Sequence, residues 1–244
     1  ADSVAPVVAE LRQAYLEDVA VGFAALVSEP AFLEAELVEE EATGCGLFAG
    51  ITPGSAVALR GPLAVCSEYD PCATPQAVPC LAQLDVTRLC PSARYRARLV
   101  ARDLAGSRSD WGGWQSFETR PPLPRPVINE VLADADTPES GGEYVEVLNR
   151  GLAAADLNGL TLTKRNASGT VTKCVLDRLR GDVITPGKLG LIVGGAWDDR
   201  YPIASDLAVY RCGTSSLLGG LSNETPPPLE LLKDGQAIST AGSG

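Results

Sequence analysis

The chain of 244 residues carries 31 acidic against 20 basic side chains, a formal charge of −11, and is 45% hydrophobic with neither histidine nor methionine. That length and apolar content support one large core or two ordinary ones, while the acidic balance speaks against nucleic acid, whose phosphates are bound by lysine and arginine. Without histidine there is no Ser-His-Asp or Cys-His catalysis, and neither a GxxxxGK[ST] loop nor a GxGxxG turn occurs, so the sequence predicts a protein that is not an enzyme.

No apolar run approaches the roughly 18 residues of a membrane-spanning helix, and no charged-then-apolar leader opens the chain. A soluble protein without a membrane span is expected. With Ala1 first and no methionine anywhere, the chain reads as beginning after a removed segment or at the edge of a longer protein. Arginine outnumbers lysine sixteen to four, which suggests a GC-rich bacterial source.

From the N-terminus the pattern is strand-like: Val7 to Ala14, Asp18 to Val27 with Val19, Val21, Phe23, Ala25 and Val27 alternating, and Phe32 to Glu39. A cysteine-rich stretch from Cys45 to Cys90 follows and reads as an insert. Next, Tyr95, Ala97, Leu99 and Ala101 alternate with Arg96, Arg98, Val100 and Arg102, so one face packs and the other is largely cationic. Arg94, Arg96, Arg98 and Arg102 form a stripe best explained by Glu34 and Glu36 on the neighbouring strand, since opposite charges facing across a sheet contribute roughly 0.2–1 kcal/mol each. A turn at Asp103 to Gly106 leads to a last strand around Trp114 to Thr119. With Leu89, Pro91 and Tyr95 at a strand corner, residues 5–120 resemble the fibronectin type III family. The resemblance implies a β-sandwich in which the Tyr95 hydroxyl bonds back to upstream backbone. The tryptophan usual in the family's second strand is absent, with Phe23 the nearest substitute.

Four prolines between Glu118 and Val127 mark a boundary that fits neither sheet nor helix. The division expected is residues 1–120, a stiff linker at 121–126 and a second domain at 127–244. In the second half, Ile128-Asn129-Glu130 opens a strand, Glu143 to Asn149 forms another, and Asp156-Leu157-Asn158-Gly159-Leu160 turns a corner. Ile184 to Gly187 then precedes the strand Leu189 to Val193, Leu218 to Ser222 follows, and Leu229 to Ile238 folds about Asp234-Gly235. These pieces, in this order, are similar to the lamin-tail family, whose fold is an immunoglobulin-like sandwich. The fold class expected for the chain is therefore all-β, two tandem immunoglobulin-like β-sandwiches.

Seven cysteines without histidine favour disulfides over zinc and so an oxidising, extracellular or cell-surface setting. In the second half Cys174 and Cys212 have only each other. In the first half five cysteines leave one odd thiol, with Cys72 and Cys80 expected to pair locally. The odd thiol is open to three readings: a bond between chains, a partner elsewhere, or burial.

Two sites remain to be weighed. The acidic stretch between Val127 and Asn149 reads first as a solvated loop, with a calcium site from Glu130, Asp134, Asp136, Glu143 and Glu146 as the next option because hard cations take flexible oxygen ligands. No other cofactor is implied. The long loop Gly194 to Asp206 places Trp197 and Tyr201 either as a ligand-binding face or as a packed anchor. Two functions are consistent with these features. One is a structural or adhesive protein of a bacterial surface, a spacer or assembly subunit whose partner is a protein, a cell-surface polymer or a second copy of itself. The alternative is a secreted accessory module that binds a carbohydrate or protein ligand.

Overall fold

The computed structural model describes residues 4–41, 43, 46–49, 51–52, 54–64, 66, 80–133, 135, 141–198, 201–221 and 228–241. The chain divides into two compact units, Ala1–Pro122 and Leu123–Gly244. Among the described residues it is all β, with short 3-10 turns at Gly46–Phe48 and Leu217–Gly219.

In the first unit β1 (Val8–Leu16), β2 (Ala20–Val27) and β5 (Cys80–Thr87) form one antiparallel sheet in the order β1-β2-β5. Strands β3 (Ala31–Glu39), β4 (Ala56–Leu63), β6 (Arg94–Asp103) and β7 (Gln115–Glu118) form another, in the order β4-β3-β6-β7. The two-residue period decides what meets between them. Val21, Phe23 and Ala25 of β2 and Ala82, Leu84 and Val86 of β5 share one core with Leu33, Ala35 and Leu37 of β3 and Tyr95, Ala97 and Leu99 of β6. The cysteine-rich stretch is therefore no insert, since it supplies β4 and β5, one strand to each sheet. Its cysteines also pair differently from expectation. Cys80 bonds to Cys66, with Cα atoms 4.9 Å apart, and Cys72 lies outside the described residues. Cys90 is disulfide-bonded as well.

The Tyr95 corner has the expected form: its hydroxyl accepts the Cys90 amide at 2.8 Å, and its ring packs 5.6 Å from both Phe48 and Phe117. On the outer face Arg98 lies directly across from Glu36 and ion-pairs with it. Glu34 gathers Arg60, Arg102 and Arg108 instead of facing Arg96. Arg96 stacks over Trp114 at 4.9 Å, and Arg98 lies 4.9 Å over both Trp111 and Trp114. Aromatic faces thus hold part of the cationic stripe that the sequence assigned to carboxylates alone.

In the second unit eight strands follow one another in the order β15-β14-β10-β11-β13-β12-β9-β8. They are β8 (Pro126–Leu132), β9 (Tyr144–Asn149), β10 (Thr161–Arg165), β11 (Val171–Arg180), β12 (Leu189–Gly194), β13 (Ala208–Cys212), β14 (Leu229–Lys233) and β15 (Gln236–Ala241). Strand β11 pairs with β10 through its first half and with β13 through its second, so the sheet bends there and wraps around one core. Val147, Leu162, Leu176, Ile192, Tyr210 and Leu231 fill that core. The wrap brings β15 back to β8, where the Ile128 amide donates to Ser239 Oγ at 2.9 Å. Asp234 and Gly235 both take positive φ, 51° and 79°, as the two-residue turn between β14 and β15 requires. Cys174 bonds to Cys212 with Cα atoms 5.5 Å apart, tying β11 to the end of β13.

Residues 123–126 belong to this unit and are not linker. Leu123 O accepts the Leu152 amide at 3.0 Å, and the Arg125 amide donates to Asn149 Oδ1 at 3.1 Å. A side chain at Gly151 would meet Leu123 O at 2.3 Å, so only glycine lets the segment lie so close. On the other side the Arg120 amide bonds to Glu17 O, which leaves Pro121 and Pro122 between the anchored segments.

Candidate ligand groove

Strands β12 and β13 run parallel, and parallel neighbours need a crossover of about a dozen residues or more. Residues 195–207 make that crossover, and its described residues, 195–198 and 201–207, fold over the outer face of the sheet. Parallel strands buried on both faces are apolar on both: Ile192 and Tyr210 point into the core, while Leu191, Val193 and Val209 form a second cluster covered by Trp197, Ile203 and Leu207. Backbone bonds fix the start of the crossover, Ala196 N to Ser215 O at 3.0 Å and Trp197 N to Gly194 O at 3.2 Å.

Where the crossover meets β9 it leaves a groove of about 280 Å³. Tyr144, Trp197 and Tyr201 form its aromatic part, Leu189, Leu191 and Ile203 its apolar part, and Glu146 adds a carboxylate. Tyr201 is the middle ring, 6.0 Å from Trp197 at 44° and 6.3 Å from Tyr144 at 79°. Trp197 and Tyr201 are thus brought together, and Trp197 is both the anchor of the crossover and a wall of the groove. Tyr144, which the sequence did not single out, completes the set. Its alternation on β9 with buried Val145 was the available signal.

The described members of the expected calcium set, Glu130, Glu143 and Glu146, do not converge. Glu130 and Glu146 face each other across β8 and β9 on the outer side, where Tyr144 donates to Glu130 Oε1 at 3.3 Å and Asn129 Nδ2 to Glu146 Oε1 at 2.6 Å. Glu143 is corrected out of the set: it is buried, and its carboxylate accepts the Leu221 amide at 2.6 Å. Asp134 and Asp136 lie outside the described residues. Among the described residues no group of three or more His, Cys, Asp or Glu side chains is placed to hold a metal ion. Burial raises the Tyr144 pKa, and the charge of Glu130 adds to the rise, so the outer side of β9 lies in a negative field.

Among the described residues no helix is long and apolar enough to cross a membrane. The sequence matches no protein-family model and no curated protein.

Proposed function

We propose that the chain is an extracellular adhesive protein of two immunoglobulin-like sandwiches, and that it holds its partner in the aromatic groove of the second unit. The groove is the observation that carries this reading. A concave, mostly apolar site with a few fixed polar groups is the usual form of a binding site, and this one is built on paired strands and closed by an anchored crossover.

The three-plus-four strand pairing and the Tyr95 corner support a fibronectin type III-like first sandwich. For the second, the order of motifs from Ile128 to Ile238 supports a lamin-tail-like sandwich. The bonds Cys66–Cys80 and Cys174–Cys212 speak for an oxidising compartment and hence for secretion.

Amide NMR of the intact chain against a panel of saccharides and short peptides tests the reading. Binding that perturbs Tyr144, Trp197 and Tyr201 and is lost in Trp197→Ala is expected. A panel that perturbs none of them removes the groove from the function. The edge strand β1, hydrogen-bonded on one side to β2, favours a second reading, an assembly subunit that accepts a neighbour's strand. Light scattering that shows large native species would favour that reading.

A further inference from the structure

In the first unit the outer face of the β4-β3-β6-β7 sheet holds more cations than its carboxylates take up. We propose that this arginine strip binds the carboxylates of an acidic linear polysaccharide, a polyuronate. The inference goes beyond the groove of the second unit and does not depend on it.

The surplus centres on Glu34. Its carboxylate meets Arg60, Arg102 and Arg108 at 3.7, 3.6 and 3.2 Å, three positive charges to one negative. Arg102 and Arg108 also stand opposite each other in a β-bridge, and like charges so placed repel. The Glu34 side chain is only 13% exposed, whereas those of Arg60, Arg102 and Arg108 are 45%, 36% and 50% exposed. Solvent therefore meets the cations more than the anion beneath them. Each guanidinium carries about five N–H donors and one carboxylate accepts about four bonds, so most of the donors remain for a ligand.

The strip continues along β6. Arg96, Arg98 and Arg102 share one face because their spacing is even, and they span roughly 20 Å at ~3.3 Å per residue. Glu36 takes Arg98, but among the described residues Arg96 has no carboxylate and stacks on Trp114 instead. Trp111 and Trp114 support Arg98 as well. Aromatic faces fix these groups without using their hydrogen-bond donors, so less side-chain freedom is lost when a ligand arrives.

Three features select the occupant. Glu34 and Glu36 show which group the guanidinium forks of this face accept, a carboxylate. The cations form a strip, which suits a linear polymer with repeated charges better than a single small anion. The chain as a whole carries −11. A nucleic-acid duplex, with a charge every ~1.7 Å, is repelled by that balance more strongly than a polymer with one carboxylate per sugar.

The test is an amide NMR titration of the full chain with a short oligogalacturonate and with its methyl ester, which is neutral. Shifts are expected at the Arg96, Arg98, Arg102 and Arg108 amides and the Trp114 indole, weakening with added salt and absent with the ester. The double variant Arg96→Gln and Arg108→Gln leaves Glu34 with Arg60 and Arg102. It is expected to bind at least about fivefold more weakly. Equal binding of the ester, or undiminished binding to the variant, would overturn the proposal. So would equal or tighter binding of polyglutamate or a DNA oligonucleotide, which would make the strip a general anion surface. Binding to phosphatidylglycerol vesicles without a response to the sugar would overturn it too. Oligogalacturonate that shifts Tyr144, Trp197 and Tyr201 instead would overturn this inference and support the groove. A strip that responds while the groove stays silent to every probe would leave this inference standing and remove the groove.

Discussion

The Cys90 amide donates to the Tyr95 hydroxyl at 2.8 Å, deep in the core of the first unit. Both groups are out of water, and the bond closes the corner before β6. Tyr95→Phe keeps the ring between Phe48 and Phe117 and removes this acceptor from the amide. A stability loss of about 1–3 kcal/mol is expected, read as a lower unfolding midpoint in denaturant with an unchanged slope. A loss below about 0.5 kcal/mol would mean that the corner does not depend on this bond.

Asn149 is the corresponding hub of the second unit, with 0% exposure. Its Nδ2 donates to Ala153 O and Ile184 O, each at 2.8 Å, and its Oδ1 accepts the Arg125 and Gly151 amides at 3.1 and 2.9 Å. Asn149→Asp keeps the acceptor and turns the donor into an oxygen facing two carbonyls. It is expected to destabilise by about 3 kcal/mol or more, and by more than Asn149→Ser. The order of the two thermal midpoints checks the argument.

The bond Cys174–Cys212 closes a loop with a sequence separation of 38. Chain-entropy arguments assign roughly 4 kcal/mol to a loop of that size. Replacing both cysteines by serine should lower the unfolding midpoint of the second unit alone, leaving the signal from Trp111 and Trp114 in the first unit unchanged. A peptide map without reductant should recover Cys66 with Cys80 and Cys174 with Cys212.

Acid stability reports on Asp156. Partial burial pushes its pKa up, but hydrogen bonds from Arg178 and the Asn158 amide, the Arg178 charge and the Tyr210 hydroxyl outweigh that and hold it below its usual 3.8. A depressed folded pKa contributes stability that is present above the unfolded value and is lost as pH falls through the folded one. The stability gap between the native chain and Arg178→Ala should therefore be widest at neutral pH and shrink below pH 3.8. A gap that does not change with pH would show that Arg178 acts through packing alone.

Strand β6 is readable in the sequence because its period of two separates small and aromatic residues from arginines without interruption. The hairpin at Asp234-Gly235 is readable because few other residue pairs tolerate two positive φ values in succession. Strand β4, AVALRGPL, is hidden because alanine, glycine and proline give its half-buried alternation little contrast. Arg96 was assigned to a carboxylate because spacing along one strand does not show that a later segment lays Trp114 over it. The parallel pairing of β12 and β13 leaves no trace in LGLIVG beyond a continuous apolar run, so the crossover read as a loop of unknown course. Glu143 is a different case: the alternation Glu143, Tyr144, Val145, Glu146 already placed it on the inner side with Val145, and the acidic composition of the neighbourhood obscured that.

The bond from Ile128 to Ser239 joins residues 111 apart. Strand β8 therefore emerges during synthesis long before the strand that closes against it, and the second unit cannot finish folding until nearly its whole length is available. Such distant pairing slows the search for the native state, whereas the first unit has all of its described strands in hand by Glu118. Synthesis thus imposes an order on the molecule: a completed first unit precedes a second that waits, with its sheet open, for its own C-terminal end.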